Sequence, residues 1–162
     1  MWPDVVQALQ HMKVMPGTEE LAELLDELGI PRALITRNVK MSVQHFHARV
    51  FKPRPFAPAL ARSFTPYKPA PEALLHVCKQ WGIPSAHAVM VGDSPKDDIV
   101  CGNRAGAQTI LIDFERKFAV GQLPAEQQPT FHVTSMQEVA DILQQKCDLI
   151  PPSAEQMPLQ MN

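Results

Sequence analysis

The hydrophobic pattern of the chain is clearest at residues 89–91, an apolar run of strand length that stops at a group of carboxylates. An uninterrupted apolar run followed at once by turn residues is typical of a strand buried on both faces of a parallel sheet. Gly92 and Asp93 come next, and Ser94-Pro95 then supplies a helix N-cap and a proline for the first helical position. The pattern predicts a strand, a turn and a helix, with Asp93 at the carboxyl end of the strand.

The same patterns predict further strands and helices along the chain. Short apolar runs predict strands at residues 32–38, where the run ends at the hydroxyl of Thr36, and at residues 108–113. A brief edge strand is predicted at residues 131–133. Apolar positions at helical spacing predict helices at 19–28, 39–50, 72–81, 97–104 and 135–146. The alternation of strands and helices predicts an α/β fold.

Residues 51–71 contain many prolines and are predicted to form a shaped loop. Proline removes a backbone donor and fixes φ, so this segment can hold no long helix or central strand. Lys68 lies between Tyr67 and Pro69 in this loop. We expect that stiff setting to aim the ammonium group of Lys68 in one direction.

Composition narrows the class of protein. The chain has 162 residues, 45% of them apolar and 20% charged, and a net charge of −2, which predicts one globular domain without attraction to nucleic acid or an anionic membrane. Its three cysteines form no Cys-x-x-Cys pair, so neither a disulfide framework nor a thiolate zinc site is predicted. The cysteines favour a reducing compartment, and we expect the cytoplasm, with an organelle left open.

Polar side chains stand at the ends of the predicted strands and in the loop. They are the hydroxyl of Thr36, the ammonium of Lys68 and the carboxylate of Asp93, with Asp97 or Asp98 nearby. If the strands are parallel, these groups meet at one edge of the sheet. Carboxylate oxygens suit Mg²⁺, which is usually held by one or two acids together with substrate phosphate. The residues therefore predict a metal-assisted phosphate site.

Four segments in this order resemble the haloacid dehalogenase (HAD)-like superfamily of hydrolases, most of which are Mg²⁺-dependent phosphatases. They are residues 15–21 (MPGTEEL), 33–38 (ALITRN), 67–72 (YKPAPE) and 91–107 (VGDSPKDDIVCGNRAGA). The resemblance implies a three-layer αβα fold with a doubly wound parallel sheet. It also implies hydrolysis of a small phosphate monoester, with a small phosphorylated metabolite as the partner.

The resemblance also assigns roles to particular residues. Thr36 and Lys68 match the family's catalytic hydroxyl and lysine and, with Arg37, are expected to bind the phosphoryl group. Asp93 matches a metal ligand, and the family's second acid stands four or five residues later, so Asp97 and Asp98 are both candidates. Asp97 falls at the third helical position and can return a capping-box bond to the N-cap. We favour Asp98 for the metal and keep Asp97 as the alternative.

The sequence lacks the family's Asp-x-Asp-x-Thr signature, whose first aspartate is the nucleophile. Covalent phosphoryl transfer needs that group, so we expect no efficient turnover from this chain. The signature normally ends the first strand, which is central in the sheet, and its loss leaves two unpaired edges. We therefore expect a truncated product, or a divergent domain that pairs the strand of Thr36 directly with that of Asp93.

These expectations divide the chain into three parts. Residues 1–14 are predicted to be the remnant of a cap or linker helix, residues 15–150 an incomplete HAD-like core, and residues 151–162 a disordered tail. Two functions stay open. One is a phosphatase whose active form contains the missing strand, and the other is a non-catalytic module that binds phosphate and metal, or pairs its open edges with another chain.

Overall fold

The computed structural model describes residues 12–152. The predicted tail at 151–162 and the predicted cap or linker helix within 1–14 lie largely outside that range. The described part of the chain contains five helices: α1 (Thr18–Glu27), α2 (Lys40–His45), α3 (Glu72–Trp81), α4 (Val100–Ala105) and α5 (Met136–Lys146). Wide helical turns of the π type extend α2 through Phe46–Val50 and precede α4 at Pro95–Ile99. Within residues 12–152, no helix has the length and apolar character that a membrane crossing requires.

Among residues 12–152, five short strands form two parallel sheets. The strands are β1 (Leu34–Ile35), β2 (Ala59–Leu60), β3 (Val89–Gly92), β4 (Gln108–Ile112) and β5 (Phe131–Val133). One sheet pairs β1 with β2, and the other has the order β3-β4-β5. Within residues 12–152, β1 does not pair with β3, so the alternative of direct pairing between these two strands is wrong.

Helices cover both faces of the three-stranded sheet, as the predicted αβα arrangement requires. On one face α1 and α5 pack on β4 and β5 through Leu21, Ile110, Ile112, Val133, Met136, Val139 and Leu143. On the other face α3 and α4 pack on β3 through Leu74, Cys78, Ala88, Met90, Cys101 and Ala105. This burial from two sides explains why β3 and β4 have apolar rather than alternating sequences.

The proline-rich segment contains strand β2, which the sequence prediction of a loop missed. Ala59 pairs with Leu34 and Leu60 with Ile35, in parallel register. The strand has two residues and lies at an edge, where proline neighbours such as Pro58 are tolerated. Its pairing holds the proline-rich segment beside the carboxyl end of β1.

Two glycines allow close approach around β3. A Cβ added at Gly92 would lie 2.2 Å from Oδ2 of Asp98, and one at Gly102 would lie 2.4 Å from Cγ2 of Thr109. Gly102 therefore lets α4 pack tightly on the sheet. Gly92 leaves room for the side chain of Asp98 to fold back over the end of β3.

Asp113 follows β4 directly and holds the next loop. Its two carboxylate oxygens accept the backbone N–H groups of Lys117, at 2.8 Å, and Phe118, at 2.9 Å. Nε2 of His132 lies 3.3 Å from Oδ2 of Asp113. Burial acts to raise the pKa of Asp113, but these hydrogen bonds outweigh it and hold the pKa below its ordinary value of 3.8. The native state thus favours the charged carboxylate.

We expect Gly92→Ala to lower the free energy of unfolding by at least about 2 kcal/mol, because the new methyl group overlaps the carboxylate of Asp98. Urea unfolding followed by circular dichroism measures the loss. Gly121→Ala is the control, since φ at Gly121 is 77° but a Cβ there meets nothing within 4 Å. The control tests backbone strain alone, which costs about 1 kcal/mol. Equal losses in the two variants would contradict the steric explanation.

We expect Asp113→Asn to lower the free energy of unfolding at neutral pH by about 1–3 kcal/mol, because an amide cannot accept both N–H groups. The depressed pKa of Asp113 stabilises the fold above the unfolded value of 3.8, and that contribution is lost as the pH falls through the lower folded pKa. The difference between the wild type and the variant should therefore narrow when urea unfolding is repeated at about pH 3.

A matched control for this prediction is Asp141→Asn on α5. The carboxylate of Asp141 accepts only an exposed hydrogen bond from Gln137 among the described residues. Its replacement should change the unfolding free energy by less than about 0.5 kcal/mol. The role given to the carboxylate of Asp113 would be refuted if the wild type and Asp113→Asn differed in unfolding free energy by the same amount at neutral and acidic pH.

Candidate functional site

A buried ion pair joins the carboxyl ends of β1 and β3. Nζ of Lys68 donates to Oδ1 of Asp98 at 2.5 Å and to the backbone carbonyl of Ile35 at 3.1 Å. The side chains of Lys68 and Asp98 are only 12% and 7% exposed. The lysine thus connects the last residue of β1 with the helical turn that follows β3, and it lies where the sequence predicts a phosphate site.

The turn after β3 positions Asp98 by local hydrogen bonds. Oγ of Ser94 accepts the N–H of Asp97 at 3.2 Å, as an N-cap does. The return bond is made by Oδ2 of Asp98, which accepts the N–H of Ser94 at 3.2 Å. The expectation that Asp97 returns the capping bond is therefore wrong. The wide turn at Pro95–Ile99 rotates Asp98 inward, and such turns are frequent at functional sites.

Asp97 has a different partner, Arg37. Nη2 of Arg37 donates to Oδ1 of Asp97 at 2.7 Å and to the backbone carbonyl of Lys68 at 2.7 Å. The guanidinium also lies over the ring of Tyr67, 5.5 Å from its centroid. Arg37 therefore ties the β1 end to the loop of Lys68 and to the turn after β3. The arginine that the sequence assigns to phosphate binding has these three contacts at the rim of the site.

Thr36 lies directly after β1 and is half-buried. Its N–H donates to the carbonyl of Leu60 at 2.9 Å, and its Oγ1 accepts the N–H of Asn38 at 3.1 Å. The hydroxyl hydrogen is thus left to donate elsewhere, since the bond to Asn38 uses an oxygen lone pair. Thr36 follows Ile35, whose carbonyl accepts from Lys68, so Thr36 and Lys68 belong to the same end of the sheet.

Asp93 is exposed at the end of β3 and lines a cavity of about 290 Å³. The cavity is lined by Asp93, Ser94, Pro95, Lys96, Phe118 and Gln127. Asp93 is linked to the ion pair through its neighbour Ser94, whose N–H binds Asp98. The structure therefore joins the segments of Thr36, Arg37, Lys68 and Asp98 by direct contacts and places Asp93 beside them.

The carboxylates of this turn can be tested as ligands for a metal. In the part of the chain that the structure describes, no group of three or more His, Cys, Asp or Glu side chains is arranged to hold a metal ion. Mg²⁺ needs fewer protein ligands, because it usually keeps several waters and takes one or two carboxylates together with substrate phosphate. The exposed Asp93 and the adjacent Asp98 meet that smaller requirement.

Cys101 lies close to the site but is not suited to act as a nucleophile. It is fully buried on α4. Burial raises the pKa of the Cys101 thiol to about 11, while the charge of Lys68 lowers this pKa and that of Asp98 raises it by smaller amounts. A thiol in this state carries little thiolate at neutral pH. The cysteine serves packing between α4 and the sheet.

Comparison with known proteins shows a family match over the segment that contains Lys68, Asp93 and Asp98. Residues 67–139 match the family model described as HAD-hydrolase-like. The match begins just before Lys68 and contains the whole turn from Asp93 to Asp98. It therefore covers two of the four segments that resemble the superfamily.

Two curated relatives extend the similarity over most of the chain. A haloacid dehalogenase-like hydrolase domain-containing protein of Arabidopsis thaliana is 44% identical over 90% of this chain and 59% of its own length. A phosphoglycolate phosphatase of Pseudomonas fluorescens is 27% identical over 90% of this chain and 53% of its own length. The chain thus spans between half and three fifths of the length of these relatives.

A solved structure matches the fold. The HAD family hydrolase of Deinococcus radiodurans, crystallised with bound phosphate and sodium, superposes with a TM-score of 0.76 over 91% of this chain and 66% of that chain, at 18% identity. The fold, the order of the matching segments and the similarity to these proteins agree. The chain belongs to the haloacid dehalogenase (HAD)-like hydrolase superfamily.

Proposed function

We propose that this chain forms the phosphate-binding core of a Mg²⁺-dependent phosphohydrolase that acts on small phosphate monoesters. In this proposal residues 15–150 are the incomplete core domain. The observation that carries it is the ion pair of Lys68 and Asp98 next to Thr36, at the carboxyl ends of β1 and β3. The similarity to a phosphoglycolate phosphatase supports a small phosphorylated substrate.

Lys68 is suited to hold a phosphoryl oxygen. An ammonium group has three N–H donors, and two of them serve Ile35 and Asp98 among the described residues. The third can donate to a phosphoryl oxygen, together with the hydroxyl of Thr36. Arg37 is proposed as a further cation at the rim, where its guanidinium already compensates Asp97. Charge-assisted hydrogen bonds of this kind are the stronger ones in proteins.

Asp93 and Asp98 are the proposed Mg²⁺ ligands. The exposed carboxylate of Asp93 is free to meet solvent, whereas Asp98 is held rigidly by Lys68 and Ser94. When bound, Mg²⁺ would neutralise negative charge on the phosphoryl group. Asp97 is the less suitable acid, because its carboxylate pairs with Arg37.

Hydrolysis also needs an attacking group, and no residue of this sequence matches the family's nucleophilic aspartate. We propose that this chain binds phosphate but turns it over inefficiently, and that a form carrying the Asp-x-Asp strand is the active enzyme. In that form, the carboxylate of the first aspartate of the Asp-x-Asp strand would form a bond to phosphorus and release the alcohol. Water would then hydrolyse the acyl phosphate.

A second function, a module that pairs with another chain, is favoured by the sheet edges. Within residues 12–152, β1 pairs only with β2 and β3 only with β4, so each keeps one edge without a backbone partner. Such edges are templates for an added strand. If this is the function, amides of β1 and β3 should become protected from hydrogen exchange when a partner binds, and phosphate should protect none of them.

We expect this chain to hydrolyse p-nitrophenyl phosphate with Mg²⁺ at close to the background rate, because the nucleophile is missing. A version extended upstream by an Asp-x-Asp strand should be active. In that version, Asp93→Asn or Lys68→Met should lower kcat/KM by at least about 100-fold, since each removes charge stabilisation at the phosphoryl group. Asp141→Asn on α5 should leave the rate unchanged. Equal activity in the short and extended chains would refute the argument about the nucleophile.

We expect Lys68→Met to lower the free energy of unfolding by about 3–5 kcal/mol, because it leaves Asp98 charged, buried and without its cation. Adding Asp98→Asn should recover part of that loss, because the buried charge is gone. The exposed pair of Arg37 and Asp97 is the matched comparison, and Arg37→Met should cost no more than about 1 kcal/mol. Urea unfolding of the wild type and the three variants measures the four free energies, and similar losses for Lys68→Met and Arg37→Met would contradict the burial argument.

A further inference from the structure

The loop after β4 is held by a polar anchor rather than by burial. Residues 114–117 are exposed, yet the backbone of the loop is fixed because Asp113 accepts the N–H groups of Lys117 and Phe118. Arg116 has a positive φ of 53°, and its N–H donates to the carbonyl of Asp113 at 3.1 Å. The anchor is itself buried, with 3% of the Asp113 side chain exposed. Asp113 therefore determines where the chain places Phe118.

Phe118 is half-buried and is one of the residues that line the cavity beside Asp93. Gln127 contributes to another wall, and Asn103 binds the backbone carbonyls of Glu126 and Gln128 on either side of it, at 3.0 and 2.9 Å. Both walls are thus positioned by side-chain to backbone hydrogen bonds. The volume of about 290 Å³ is enough for a small organic group.

A phosphate monoester has two parts that need different surroundings. The phosphoryl group needs cations and hydroxyl donors, which the Thr36 and Lys68 side of the site offers. The organic part needs an apolar or aromatic surface close by. Phe118 supplies such a surface within the same cavity as Asp93, at the carboxyl edge of the sheet. Aromatic faces favour stacking with flat apolar groups.

We propose that Phe118, positioned by Asp113, forms the subsite for the organic part of the phosphate ester and favours esters with a flat apolar group. This inference rests on the proposed phosphate site and adds a substrate class to it. Phe118 contacts the ligand and is a specificity-determining residue. Asp113 acts through Phe118 and is a positioning residue.

The test is an amide NMR titration of the 162-residue chain in Mg²⁺, which requires no turnover. Inorganic phosphate and phenyl phosphate are the two probes. Inorganic phosphate should shift the amide signals of Thr36, Lys68 and Ser94. Phenyl phosphate should shift these signals and also those of Phe118 and Gln127.

Variants then separate contact from positioning. Phe118→Ala should weaken phenyl phosphate by about 3- to 10-fold and leave the affinity for inorganic phosphate unchanged, since it removes one stacking surface. Asp113→Asn should likewise lower the affinity for phenyl phosphate relative to the affinity for inorganic phosphate. Phe114→Ala is the matched control, because Phe114 is in the same loop and does not line the cavity. If Asp113→Asn does not fold, Phe118→Ala still decides the contact.

The possible failures are distinguishable. One outcome is that inorganic phosphate shifts the Thr36, Lys68 and Ser94 signals, while Phe118→Ala and the wild type show the same phenyl phosphate shifts and the same ratio of the two affinities. That outcome overturns the subsite and leaves the proposed function standing. If neither probe shifts those signals, the proposed function is overturned, and the subsite with it. If phenyl phosphate shifts Phe118 without shifting Thr36 and Lys68, the cavity binds aromatic groups unconnected with phosphate, which also overturns the inference.

Discussion

The site depends on one buried charge pair between Lys68 and Asp98. Two parallel sheets end at the same region, but within residues 12–152 no backbone pairing connects β1 to β3. The ammonium group binds the last carbonyl of β1 and a carboxylate that follows β3. Removing charges from water is costly, so such a pair persists only when its remaining hydrogen bonds are satisfied. The carbonyl of Ile35 and the N–H of Ser94 meet that condition.

This constraint explains several local features of the sequence. Gly92 has no side chain because the carboxylate of Asp98 occupies the space that a Cβ would take. The wide turn at Pro95–Ile99 directs Asp98 to the interior and Asp97 to the rim, where Arg37 meets it. The two neighbouring acids therefore have different surroundings and different roles. Asp98 is the buried partner of Lys68 and the proposed metal ligand, whereas Asp97 is part of a half-exposed ion pair with Arg37.

Local apolar periodicity predicts β3, β4, β5 and the helices. No such signal marks β2, because its two residues are a strand only through their pairing with β1. Chemistry and family motifs point to Lys68 and Asp98, but the contact between these two side chains depends on tertiary packing. The bond of Arg37 to Asp97 joins residues 60 positions apart and has no local signal. Asp113 does have a local signal, because it directly follows an apolar strand as Asp93 does. The apolar pattern of residues 108–113 nevertheless includes Asp113 in the predicted strand.

The division of the strands into two sheets affects which part of the chain opens first. The three-stranded sheet contains Ile110 and Leu111, which are fully buried. The two residues of β1 and the two residues of β2 are only half-buried. Regions with little buried apolar surface open at lower free energy than the core. We therefore expect the β1–β2 unit to open before β3, β4 and β5 unfold. In such a partly unfolded species, Thr36 and Arg37 would leave the acids of the β3 turn, and the proposed phosphate binding would weaken before the whole chain unfolds.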